Sequence, residues 1–141
     1  MSRQGSAVIF VRSGNAWVEQ QKIIANDGGE NDEFGSSVAV SGDTVVVGAV
    51  ATTLGVNPGP GSAYVFVRSG SVWTQQQKLA AGDGAADDHF GNSVAISGDR
   101  VLVGAPDHSV AGAIHQGAAY AFTRFGNDGS SNRRSPLATV T

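Results

Sequence analysis

Phe90-Gly91-Asn92-Ser93-Val94-Ala95-Ile96-Ser97-Gly98-Asp99-Arg100-Val101-Leu102-Val103-Gly104-Ala105-Pro106 is the stretch whose reading decides the fold. Two runs rich in β-branched residues flank Ser97-Gly98-Asp99, and a Gly-Asp turn between such runs has the chemistry of a tight β-connection. The stretch has a twin 56 residues earlier, Phe34-Gly35 through Gly48-Ala49. The match spreads outward on both sides. Gly5-Ser6-Ala7 returns as Gly61-Ser62-Ala63, and Trp17 returns as Trp73. Residues 5–50 align with 61–106 without a gap, more than half of the pairs are identical, and many others keep their class, as in Ile23/Leu79 and Val46/Leu102. A third copy opens at Gly117-Ala118-Ala119-Tyr120, so the chain is a repeat array.

Within one unit the apolar period is two. Ala63-Tyr64-Val65-Phe66-Val67 leads through Arg68-Ser69-Gly70-Ser71 to Val72-Trp73-Thr74 and on to Lys78-Leu79, which predicts a hairpin. Ser93 to Ala105 predicts a second hairpin. No window of ten or more residues carries apolar positions at three-to-four spacing, so helix is excluded. The expectation is an all-β array with about four short strands per unit, near 35–40, 44–49, 62–68 and 72–79 and again 56 residues on.

Four antiparallel strands per repeat of this length make the blade of a β-propeller. The ordered submotifs Phe90 to Ala95, Val101 to Pro106 and Gly117 to Phe122 resemble the FG-GAP repeat of integrin α-chain propellers and of many bacterial surface and secreted proteins. The resemblance spans residue 5 to about 128. It marks Phe34, Gly35, Gly48, Ala49, Phe90, Gly91, Gly104, Ala105 and Pro106 as repeat-motif positions, with the glycines placed where tapering blades bring backbones together. It implies a partial β-propeller of four-stranded antiparallel blades with a 56-residue repeat, and binding of an extracellular protein or matrix ligand through loops on one face. The organisation expected is a half blade with an acidic loop (1–33), a full blade with an acidic loop (34–89), an incomplete blade (90–128) and an irregular tail (129–141).

Calcium-binding members of that family carry an Asp-rich loop between the first two strands of a blade, which supplies the several oxygens a hard cation needs. Here that connection is Ser41-Gly42-Asp43 or Ser97-Gly98-Asp99. One carboxylate in a tight turn makes no calcium cage, so no metal or other cofactor is expected there. The remaining candidates for a weak calcium site are Asp27, Asp32, Asp83, Asp87 and Asp88, in the acidic loops that precede Phe34 and Phe90. The competing reading of those loops is a solvated turn between blades.

The third copy follows the repeat to Asp128 and then departs. Position 129 is glycine where the spacing calls for tryptophan. With one nucleotide restored after Asp128, codons compatible with the tail read Trp-Gln-Gln-Gln-Gln-Lys-Ile-Ala-Ala-Ser-Asp-Gly-Asp. The tail is therefore expected to be a frameshifted end of a longer propeller gene. It is expected to stay irregular and to leave the strand near 119–123 as an open edge that drives self-association.

The formal net charge of −3 offers no basic surface to a nucleic acid. Cysteine is absent, which removes disulfides and thiolate chemistry. No stretch has the length of a membrane span, and the start Met1-Ser2-Arg3-Gln4 lacks a signal-peptide core, although the family resemblance implies an extracellular or cell-surface location. His89, His108 and His115 have no evident convergent partners and are expected on the surface or in loops. Trp17 and Trp73 admit two roles, stacking on sugar rings or packing between blades. Three functions follow in order: a non-catalytic interaction module, apparently a piece of a longer propeller; a carbohydrate-binding propeller; and a fragment of a propeller enzyme. Too few blades to close a ring leave terminal strands and faces unpaired, so self-association is expected as well.

Overall fold

The computed structural model describes residues 4–51, 53–54, 57–110, 114–125 and 133–140, and no helix occurs among them. The strands are β1 (Ala7–Ser13), β2 (Ala16–Ile23), β3 (Phe34–Ser41), β4 (Thr44–Ala49), β5 (Thr53–Leu54), β6 (Asn57–Pro58), β7 (Ser62–Ser69), β8 (Val72–Leu79), β9 (Ser93–Ser97), β10 (Arg100–Ala105), β11 (Ala118–Phe125) and β12 (Arg133–Val140). They form two antiparallel four-stranded sheets ordered β3-β4-β7-β8 and β9-β10-β11-β12. Two small sheets, β1-β2 and β5-β6, accompany them. Each four-stranded antiparallel sheet has the make-up of a propeller blade, and β1-β2 corresponds to the outer pair β7-β8 of one. The β5-β6 pair inside the 50–61 connection was not legible in the alternation.

The repeat is reproduced in register. β4 pairs β7 with Val47 opposite Tyr64, and β10 pairs β11 with Val103 opposite Tyr120. Even the irregularity recurs: β1 slips against β2 between Ile9 and Phe10, and β7 slips against β8 between Val65 and Phe66.

Burial separates copies that the sequence makes alike. Every residue of β4 is buried, whereas β10 alternates between buried and exposed positions. The reason is that the strand β4 is covered on both faces, while β10 of the last sheet is covered on one. Val46 is accordingly buried, and its counterpart Leu102 is exposed.

One apolar layer joins the half blade to the central sheet: Ile23, Ala25, Phe34, Val45, Val47, Tyr64, Phe66 and Trp73. The next joins the central sheet to the last one, with Phe90 at its centre. Phe34 sets its ring 5.5 Å from Tyr64 and 6.0 Å from Phe66, and Phe90 sets its ring 5.3 Å from Tyr120 and 6.2 Å from Phe122. Such tilted pairs add about 0.5–1.5 kcal/mol each beyond the area they bury. The phenylalanine of the motif is thus the bolt between one sheet and the next.

Its glycines allow the sheets to meet. A Cβ on Gly48 would collide with the Gly91 carbonyl oxygen of the neighbouring sheet, while Ser37 Oγ donates to that same oxygen at 2.7 Å.

The tail differs from expectation. Arg133–Val140 is not irregular but pairs antiparallel with β11, so the third blade has four strands and the edge near 119–123 is closed. An unpaired edge offers a row of N–H and C=O groups to any extended segment within reach, and proline is tolerated on an outermost strand. The register shows that the strand is a substitute. Arg68 lies opposite Trp73 on β8, but Arg124 lies opposite Arg134, beyond the Gly129 that the repeat spacing would place there. The rest of the tail, 129–132 and 141, falls outside the described residues.

Candidate functional site

In a meander of antiparallel strands, successive connections alternate between the two ends of the sheet. The turns after β1, β3, β7 and β9 are therefore at one end, and each spans two residues. At the other end lie the connections 24–33, 50–61, 80–92 and 106–117. This end collects Asp27, Glu30, Asp32, Glu33, Asp83, Asp87, Asp88 and Asp107, and its connections hold no lysine or arginine.

The two acidic connections share one backbone. Asn31 and Asp87 adopt left-handed φ values of 65° and 64°, and Glu33 and His89 adopt 57° and 58°. Asp32 and Asp88 hold this shape from inside: each is buried, and each accepts a backbone N–H, from Gly29 at 2.6 Å and from Ala85 at 2.7 Å. Asp27 and Asp83 accept the hydroxyls of Tyr64 at 2.9 Å and Tyr120 at 2.7 Å. The acidic positions common to both copies are thus tied into the scaffold. Glu30, Glu33 and Asp87 vary or move in register and face solvent.

The second partner of each tyrosine-bound aspartate differs. Lys78 Nζ donates to Asp27 at 2.8 Å, and this ammonium holds the Asp27 carboxyl below the usual range. Asp83 is also lowered, chiefly by the Tyr120 hydroxyl, and its second partner is His108 Nε2 at 3.3 Å. The His108 Nδ1 lies 2.7 Å from Asp88 Oδ2, and its ring meets Tyr120 edge-on. Asp88 pulls the His108 pKa up against the opposing effect of burial.

His108 lies in a loop as expected, but it is only 5% exposed and has convergent carboxylate partners in Asp83 and Asp88 that the sequence did not show. His89 pairs with Asp107 at 2.6 Å, and His115 Nδ1 reaches the Asp107 carbonyl oxygen. The three are brought together across the 80–92 and 106–117 connections, which no local pattern announces. Among the described residues, no group of three or more histidine, aspartate or glutamate side chains is arranged to hold a metal ion.

At the tight-turn end, the carboxylates of Asp43 and Asp99, where no metal site was expected, are engaged. Arg68 Nε donates to Asp43 at 2.9 Å and Arg124 Nε to Asp99 at 3.0 Å, and the backbone N–H of each arginine donates to the same aspartate's carbonyl oxygen. The Ser-Gly-Asp turn is a clasp on the third strand of its blade.

The tryptophans part company. Trp73 is buried: its Nε1 donates to Gln20 at 2.7 Å, its backbone exchanges two hydrogen bonds with the Gln21 side chain, and Arg68 stacks over its ring. It presents no free ring face to a sugar. Trp17 is exposed at the equivalent place on β2.

Comparison with protein-family models finds the FG-GAP repeat twice, over residues 17–66 and 73–122. No curated protein matches the chain.

Proposed function

Because the chain belongs to the FG-GAP repeat family, we propose that it is a non-catalytic propeller module for interaction with an extracellular or cell-surface protein or matrix ligand, presented as part of a larger propeller. The observation that carries this reading is the segregation of connections: two-residue turns after β1, β3, β7 and β9 at one end, and four longer connections at the other, of which 24–33 and 80–92 are rich in acids. Loops held on a stiff sheet are where recognition concentrates, because their side chains vary without cost to the core. The exposed acids of that end favour a partner with a cationic surface, by steering its approach and by pairing at the rim.

Replacing Glu30, Glu33 and Asp87 together by lysine tests it. The native chain should bind an immobilised oligolysine peptide in a salt-dependent way, and the triple variant should lose that binding while unfolding at the same urea concentration. Equal retention of both would overturn the reading.

A further inference from the structure

Both ring nitrogens of His108 face carboxylate oxygens. Nδ1 lies 2.7 Å from Asp88 Oδ2, and Nε2 lies 3.3 Å from Asp83 Oδ2. A neutral imidazole has one donor and one acceptor, so it satisfies only one of these contacts, whereas an imidazolium donates to both. The carboxylates act as acceptors in their other contacts too: Asp88 Oδ2 takes the Ala85 N–H, and Asp83 Oδ1 takes the Tyr120 hydroxyl. His108 is buried, and there a ring nitrogen without its proton would oppose a carboxylate acceptor to acceptor.

These contacts join two separate connections. Asp83 and Asp88 belong to 80–92, and His108 belongs to 106–117, so the imidazolium ties one to the other. A second tie runs the opposite way, from His89 of 80–92 to the Asp107 carboxylate of 106–117. Beneath both lies a backbone bond, from the Asp107 N–H to the Asp88 carbonyl oxygen at 3.3 Å. The preceding copy keeps this backbone bond, from the Ala51 N–H to the Asp32 carbonyl oxygen at 3.3 Å. It has Glu33 in place of His89 and Ala51 in place of Asp107, and its 50–61 connection contains no histidine.

We propose that His108 is a proton-operated latch: as an imidazolium it fastens the 106–117 connection onto the 80–92 connection, and on giving a ring proton to solvent it lets 106–117 open while the sheets stay folded. The titratable groups around it are Asp83 and Asp88 from the opposite connection, Tyr120 from β11, and Asp107 beside it in the chain, whose carboxylate is turned to His89. Neither connection has a lysine or arginine to take the imidazolium's place. Asp88 and Asp83 favour the charged ring against burial, so the latch is closed below the ordinary imidazole value and opens as pH rises through the raised one. Opening stays local because the sheets are held by the Phe90, Tyr120 and Phe122 rings and by the pairing of β10 with β11, none of which uses residues 106–117. The latch depends on these contacts and not on what that end of the module binds.

Two measurements on the full chain test it. Nitrogen NMR should show both ring nitrogens of His108 protonated at pH values where those of the urea-unfolded chain are already half deprotonated. Amide hydrogen exchange, corrected at each pH for the rate of an unstructured chain, should show the Asp107 and Gly117 amides losing protection as pH rises through the midpoint of that titration. Gly117 is a second reporter because its N–H donates to the His108 carbonyl oxygen at 2.8 Å. Ala51, the equivalent of Asp107 one repeat earlier, should keep its protection over the same range, and so should the amides of β10 and β11. In His108→Gln the Asp107 and Gly117 amides should be poorly protected at every pH.

Four results would each overturn the proposal. The first is a folded His108 ring that loses its proton no later than the unfolded one. The second is protection at Asp107 and Gly117 that does not change with pH. The third is a pH-dependent loss that persists in His108→Gln, since another group would then drive it. The fourth is a loss shared equally by β10 and β11, since the transition would then be global.

Discussion

Trp17 and Trp73 stand one repeat apart on equivalent strands, yet Trp73 is 4% exposed and Trp17 is 67% exposed. Trp73 is covered by the half blade, whose Gln20 and Gln21 hold its indole and backbone, whereas nothing described lies on the face that carries Val8, Phe10 and Trp17. Trp73→Ala should therefore cost about 3–5 kcal/mol, as large aromatic truncations in cores do. Trp17→Ala should stay within about 0.5 kcal/mol, as surface changes do. Urea midpoints of the two variants measure the difference. Equal losses would show that the two copies are not packed as described.

Stability should have a bounded pH range set by the tyrosine-bound aspartates and His108. Asp27 and Asp83 titrate below their ordinary value in the folded chain, so their contribution is present above the unfolded carboxylate range and is lost as pH falls through the folded values. His108 titrates above its ordinary value, so its contribution is complete below the unfolded value and is lost as pH rises through the folded one. Urea midpoints should decline at both extremes. His108→Gln should flatten chiefly the alkaline limb, with a smaller effect on the acid limb through Asp83, and an unchanged alkaline limb would remove His108 from the account.

Calcium should leave the melting temperature unchanged at the tight-turn end. The Asp43 and Asp99 carboxylates are already occupied by Arg68 and Arg124. The pairs are partly exposed, so Asp99→Ala should cost at most about 1 kcal/mol. That cost should be the same with and without calcium. Stoichiometric calcium binding that disappears in Asp99→Ala would reverse this assignment.

Removing residues 126–141 should promote association. β12 covers the outer edge of β11 through backbone pairing from Ala119 to Phe125, and its loss would bare a long strand edge. Sedimentation should show the truncated chain forming larger species at concentrations where the full chain does not. Identical sedimentation would mean that the substitute strand does not guard the edge.

The sequence by itself determined the period, the strand positions, the turns and the sheet order of a blade. Each of these rests on short-range chemistry: alternation of apolar side chains, left-handed glycines at Gly42 and Gly98, and exact repetition of Phe-Gly and Gly-Ala. By sequence, Asp27, Asp32, Asp83, Asp87 and Asp88 stood together as weak calcium candidates or parts of a solvated turn, and the structure alone showed that the pairs Asp27/Asp83 and Asp32/Asp88 are tied to tyrosines and loop amides. Only the tertiary structure decided which of two identical tryptophans is buried, that His108 replaces Lys78 as the second partner of its aspartate, and that the divergent tail still supplies a strand. Those outcomes depend on which sheet covers which face and on groups up to dozens of residues apart, and a residue's own neighbours in the chain carry no record of either.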